Sequence, residues 1–292
     1  MAVQKSVEVK DGTFAYLDWG GRGPLAHFAH ATGFCAGAYS PLARILASRL
    51  RLVGMDYRGH GKTTVPSDPS TLKNWDVFAN DLGDFLSHLS LPVVAIGHSL
   101  GAVTSMMLAA RRPELFQALI LIDPTIMPQY MNLILFGAQK LGMTNLFPII
   151  SGAARRTRIW PSKQTVLDAY LNRHPFKNWS EGFLNAYIEH GFQDLSSGLT
   201  RIRCEPEWES KCFAACPAGV WKYPRLLKTP VLIIYGESSD VFLKGCANKF
   251  LREVPHVTLN RIKGASHFVP MEKPHDTANS VFEFLAGLKI IP

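Results

Sequence analysis

The chain has 292 residues, 47% hydrophobic and 18% charged, with 23 Gly and 19 Pro, a mix too apolar for disorder and too varied for a fibrous repeat. That length suits one large α/β domain with an insertion; no apolar run reaches the ~18–20 residues of a membrane span, and the N-terminus lacks a secretory stretch, so a soluble cytoplasmic protein is expected. The net charge of +8 is uneven, with 13 Lys/Arg against 7 Asp/Glu in residues 126–228, yet no nucleic-acid motif accompanies it and a solvated basic face is the plain reading.

Residues 1–125 alternate strands and helices. Segments 7–10 and 13–18 bracket the turn Asp11-Gly12, a hairpin signal, and 25–29 is a short apolar strand. Leu42, Ile45 and Leu46 mark a helix over 38–49, and the strand 51–55 runs into the turn Asp56-Tyr57-Arg58-Gly59-His60-Gly61. Phe78, Leu82, Phe85 and Leu86 give an amphipathic helix over 75–89; strand 93–96, helix 99–111 and strand 119–122 follow. The rhythm breaks at 126–228, which has helical pieces at 130–141, 165–172 and 179–190, four Trp and no strong strand. It resumes with strand 230–235, helix 241–253, strand 257–262 and helix 275–288. Such alternation predicts a mostly parallel, doubly wound sheet covered on both faces, with a core domain of residues 1–125 and 229–292 and a helical insertion at 126–228.

Gly97-His98-Ser99-Leu100-Gly101 fits G-x-S-x-G between a strand and a helix. A strand-turn-helix there holds a serine hydroxyl clear of the sheet, beside helix N-terminal amides that favour developing negative charge. Serine needs a base, and His267, in the loop after strand 257–262, is the best candidate. The base needs an orienting acid, for which Asp240 in Gly236-Glu237-Ser238-Ser239-Asp240 is the first choice, with Asp123 and Glu237 as alternatives. An oxyanion site would use the Leu100 N–H and a second amide from His30-Ala31-Thr32-Gly33-Phe34, assigned to Thr32 with Phe34 as the alternate.

These residues resemble the α/β-hydrolase fold family across nearly the whole chain. His30–Phe34 is similar to its oxyanion loop, Asp56–Gly61 to its D-x-R-G-x-G turn, Gly97–Gly101 to its nucleophile elbow, and Gly264–His267 with Glu272 and Pro274 to its histidine loop. The chain order Ser, Asp, His is the family's order. The resemblance implies a sheet domain with a helical cap at 126–228. A serine nucleophile sets the chain apart from the epoxide hydrolase and haloalkane dehalogenase branches, which use aspartate. Two departures are visible: Ala31 stands where Gly is usual, and Gly236 and Asp240 are one residue further apart than the commonest spacing.

The leading expectation is a serine carboxylesterase acting through an acyl-enzyme on soluble short-to-medium acyl esters, since no lipid-interface helix stands out. Phe34, His98, Met127 and Tyr130 are the substrate-binding candidates, within an apolar stretch at 127–150. The alternatives are a C–C hydrolase of anionic ring-fission diketones, held by Arg155, Arg156 and Arg158, a thioesterase or lactonase, or a non-catalytic binding protein on the same scaffold. Five cysteines, with Cys212 and Cys216 lacking a second ligand pair, read as reduced structural thiols, and no paired histidine spacing points to a metal. Gly20-Gly21-Arg22-Gly23 opens no helix, so no cofactor is implied. The expected partner is a small-molecule ester, with no nucleic acid, no stable membrane insertion, and a monomer or homodimer.

Overall fold

Three runs, VVAIGH, FQALILI and VLIIYG, are almost wholly buried, as strands covered on both faces must be. They form the middle of an eight-stranded sheet in a computed structural model that describes residues 2–292. Chain order begins β1 (Val3–Val9), β2 (Gly12–Gly20), β3 (Leu25–Ala29), α1 (Ser40–Leu46), β4 (Arg51–Met55), α2 (Asp76–Leu86), β5 (Val93–His98), α3 (Leu100–Arg111) and β6 (Phe116–Ile122). An excursion from the sheet follows, with α4 (Gln129–Lys140), α5 (Pro148–Ala154), β7 (Ile159–Trp160), α6 (Lys163–Tyr170), α7 (Phe183–Gly191), β8 (Phe192–Asp194), β9 (Thr200–Ile202) and α8 (Pro206–Ala214). The chain returns as β10 (Val231–Gly236), α9 (Lys244–Glu253), β11 (Val257–Ile262), α10 (Val269–Glu272) and α11 (Pro274–Gly287).

The sheet order is β1-β2-β4-β3-β5-β6-β10-β11. The β1–β2 hairpin and the β2–β4 pair are antiparallel, and every other pair is parallel. Successive strand residues face opposite cores. Val93, Leu119, Leu121 and Ile233 pack with Phe78, Met106 and Phe250 of α2, α3 and α9, whereas Val94, Ile120, Ile122 and Ile234 pack with Leu42, Leu46 and Val281 of α1 and α11. The four parallel neighbours β3, β5, β6 and β10 therefore bring their C-terminal ends to one edge, where ligands bind in open α/β sheets.

Most expected elements recur within a few residues, the largest differences being at turns. Residues 36–39 form a 3-10 turn before the shorter α1, and the β1–β2 hairpin is longer than expected, reaching Val3 and Gly20. The excursion holds a small antiparallel sheet, β7-β9-β8, where no strand was expected; strands of two or three residues are too short to show alternation.

Candidate active site

Ser99 stands between β5 and α3 with φ 55°, a conformation held by its N–H bond to Ile122 O (3.0 Å). The flanking glycines are required by contact: a Cβ at Gly97 would lie 2.4 Å from Gly101 O, and one at Gly101 would lie 2.2 Å from Ala29 O. No side chain fits at either place, so the tight turn presents the hydroxyl at the sheet edge. Ser99 Oγ lies 3.1 Å from His267 Nε2 and 2.9 Å from Thr125 Oγ1.

His267 Nδ1 lies 2.7 Å from Asp123 Oδ1. An ionised carboxylate only accepts, so Nδ1 carries the proton and Nε2 is left to accept the Ser99 O–H; Thr125 then donates to Ser99 Oγ. The aspartate at the imidazole is thus Asp123, at the end of β6, and not Asp240, which corrects the first expectation. Asp123 is fully buried and also accepts from Gly236 N–H (2.9 Å) and from Ser239 Oγ (2.6 Å). The loop after β10 reaches the site with an amide and a hydroxyl in place of a carboxylate. Asp240, one residue on, is exposed at the mouth of the cavity beside Ser99 and has no bond to His267. Glu237 is also outside the relay, paired with Arg261 and accepting from Gly264 N–H (3.1 Å). Glu272 holds the loop of His267 by accepting from Ser266 N–H (2.6 Å) and Ser266 Oγ (2.8 Å). Thr125 and Ser239 were missed in the sequence because hydroxyl residues are common in loops and carry no spacing signal; Ser239 lay inside the segment searched for the acid.

The loop after β3 supplies the other half of the site. Ala31 N–H donates to Tyr39 Oη (3.2 Å), Gly33 N–H to His60 Nε2 (3.1 Å) and Phe34 N–H to Ala31 O (3.2 Å). Among the described residues, the Thr32 N–H is left without an acceptor, while the Phe34 alternate is engaged. Leu100 begins α3, so its N–H is one of the orphan donors of a helix start. The loop is clipped by buried histidines. His30 Nε2 accepts from Tyr57 N–H (3.0 Å), leaving Nδ1 to donate to Ala31 O (2.8 Å), and His60 Nδ1 donates to Arg58 O (3.0 Å). Burial pushes His60 down to about 4 and His30 well below the usual histidine range, keeping both neutral and able to accept. His98 joins the two halves: its Nε2 donates to His267 O (2.9 Å), so its Nδ1 accepts from Tyr39 Oη (2.7 Å).

A family model of the alpha/beta hydrolase fold matches residues 30–274. The chain belongs to the α/β-hydrolase family. It is 28% identical to the 2-(acetamidomethylene)succinate hydrolase of Mesorhizobium japonicum, covering 91% of this chain and 89% of that one. It is 22% identical to the sn-1-specific diacylglycerol lipase of Mus musculus over 97% and 88% of the two chains. A crystal structure of E-2-(acetamidomethylene)succinate hydrolase superposes with a TM-score of 0.79 at 23% identity, covering 98% of this chain and all of that one.

In this α/β hydrolase a cavity of 340 Å³ opens beside Ser99, Thr125 and His267. Its walls are Phe34, Met127, Met131, Ile134, Leu135, Phe147, Ile150 and Phe213, with Asp240 as its one carboxylate and no Lys or Arg. Phe34 and Met127 therefore stand where substrate contact was expected. His98 does not: it is fully buried behind the site. Tyr130 is 63% exposed and outside the cavity walls. The arginines singled out for anions are engaged elsewhere or remote. Arg156 pairs with Glu209 (2.6 Å) and donates to Tyr187 Oη (2.6 Å), whose hydroxyl donates to Gly33 O (3.3 Å). Arg158 pairs with Glu205 (3.0 Å) and Glu207 (2.5 Å), and exposed Arg155 does not line the cavity. Trp208 of the excursion anchors it to the sheet domain by donating from Nε1 to Arg58 O (3.0 Å), whereas Trp221 Nε1 donates to Met127 O (2.8 Å) and joins the two ends of the excursion to each other. The tryptophan in the cavity wall is Trp75, from the sheet domain.

Proposed function

We propose that this hydrolase cleaves neutral carboxylic esters with an apolar acyl group, through a covalent acyl-enzyme. Ser99 Oγ attacks the ester carbonyl as His267 Nε2 takes its proton, and Asp123 holds the imidazole in the tautomer that can do so. The amides of Leu100 and Thr32 receive the oxyanion, a contribution of about 3 kcal/mol for one such donor. His267 then returns the proton to the leaving alcohol, and water repeats the cycle to release the acid. The excursion serves as a cap whose inner side, with Met127, Met131 and Leu135, receives the acyl chain.

The single observation that carries this reading is the serine–histidine–aspartate relay opening into a cavity without a cation. A dianionic substrate would meet mostly apolar walls with Asp240 as the one charged side chain, so its second carboxylate would be desolvated without a cation to pair with. That disfavours anionic diketones and succinate-like substrates alike. The test is hydrolysis of p-nitrophenyl esters from acetate to palmitate, wild type beside Ser99→Ala. Turnover abolished by Ser99→Ala and strongest on short-to-medium chains is expected. Equal turnover by Ser99→Ala, or no ester cleaved by folded protein, would sink the reading.

A further inference from the structure

The outer side of α4 is apolar, the reverse of a helix packed on a soluble domain. Tyr130, Leu133, Ile134 and Leu141 recur at helical spacing and all face solvent, with Leu133 at 70% and Leu141 at 73% exposed. The next turn adds Leu146 at 68% and Ile149 at 58%. Half of the sixteen large apolar side chains exposed among the described residues fall within positions 130–149, so this is one patch and not scattered surface.

Two observations say what covers it. First, the patch is continuous with the candidate site: Ile134 and Ile149 are exposed on the surface and also line the cavity over Ser99. Second, its surroundings are mainly basic, with Asp76 and Asp240 the carboxylates near it among the described residues. No Asp or Glu occurs from Pro124 to Leu167. Lys140, its Nζ 5.6 Å from the Phe136 ring centre, and Arg155 are exposed and outside every ion pair among the described residues. Lys73 and Lys222 share a surface depression with Phe136, where the one carboxylate, Asp76, is paired with Arg111. A second copy seated on this face would set these cations against their own kind, since a two-fold contact pairs a patch with itself.

We propose that α4 and the 143–149 turn seat on an anionic phospholipid surface, so that the cavity mouth opens into the acyl-chain layer. The apolar side chains enter the boundary of the layer while Lys140 and Arg155 meet lipid phosphates. A long chain then needs only its carbonyl end inside the cavity and keeps its remainder in lipid, which revises the expectation that soluble esters suffice. Delivery of a chain to Ser99 rests on the ester-hydrolase reading; docking itself does not.

The test is co-sedimentation with vesicles of phosphatidylcholine alone and of phosphatidylcholine with phosphatidylglycerol, read on the Ser99→Ala protein so that turnover plays no part. Binding to the anionic vesicles is expected, weakened by salt, and reduced about tenfold by Leu133→Ser, Leu141→Ser and Leu146→Ser together. Lys140→Glu with Arg155→Glu should abolish the preference for phosphatidylglycerol. In the Ser99 background the triple serine variant should hydrolyse p-nitrophenyl butyrate at the wild-type rate, showing an intact fold. Protein left in the supernatant at vesicle excess overturns docking, as does equal binding by the serine variant. A wild-type dimer in sedimentation equilibrium that the serine variant converts to monomer would assign the face to a second copy and also overturn it. Vesicle binding without any ester turnover would leave docking standing and remove the ester reading alone.

Discussion

Asp123 carries more of the site than its position after β6 suggests. Its two oxygens accept three hydrogen bonds, from His267, Gly236 and Ser239, with no exposure to water. Asp123→Asn keeps the shape but brings an NH2 group against the ring, favouring the wrong tautomer. Ester turnover is expected to fall about ten-thousand-fold in kcat. Asp240→Asn, by contrast, should leave kcat on a small neutral ester within a few fold of wild type. Steady-state kinetics on the pair decides which aspartate orients His267, and a large loss only at Asp240 would reverse the assignment. Tyr39 is a positioning residue of the same kind. Tyr39→Phe leaves Ala31 N–H and His98 Nδ1 without their shared partner, at a cost of about 1–3 kcal/mol for each buried group left unsatisfied. A loss of about tenfold in kcat with KM near wild type is expected, because the amide of Thr32 shifts while the acyl wall does not. An unchanged kcat would separate Tyr39 from the site.

At the level of elements, the buried pair Arg156–Glu209 ties the excursion to the loop after β3 through Tyr187 and Gly33. Arg156→Met strands a buried carboxylate and is expected to cost about 3 kcal/mol of stability, read as a lowered Tm. A change in preference between anionic and neutral substrates with Tm unaltered would instead restore Arg156 to the binding site. How much of this was legible in the chain differs by element. Strands 25–29 and 51–55 coincide with β3 and β4 because short, largely buried runs bounded by Gly, Pro or charge leave little freedom. Strand 257–262 coincides with β11, an edge strand in which Val257 and Leu259 alternate with Thr258 and Asn260. Ser99, Leu100 and His267 were readable because each follows a strand that a motif names. The acid was not readable, since an aspartate follows each of two strands, directly after β6 and four residues after β10, and only packing shows which one reaches the ring. The outward-facing α4 escaped for a related reason: periodicity reveals an apolar face but not the side on which the rest of the chain lies.

Across the whole molecule, burial of histidines, four of them completely, shapes the response to acid. Burial pushes His27 down to about 3 and His60 to about 4, and holds His30 and His98 well below 6.5. In the unfolded chain all four bind protons near 6.5, so the unfolded state takes up more protons as pH falls below that value. The stability they confer is complete above 6.5 and is lost as pH falls toward 4. Asp56, pushed up by burial to about 6, and Asp81, raised by burial, act in the opposite sense, but two groups oppose five, because burial lowers half-buried His190 as well. Calorimetry should therefore show the highest Tm above pH 6.5 and a steady decline on acidification toward pH 4.5. A Tm that is flat or rising over that interval would contradict the neutral-histidine clips. The placement of Asp123 on β6 has one more outcome. It frees the side chains of Asp240 and Val241, at the lip of the cavity, from the proton relay. Side-chain mutation there can accumulate without extinguishing turnover, which leaves this lip open to change in natural descent or in a directed-evolution library.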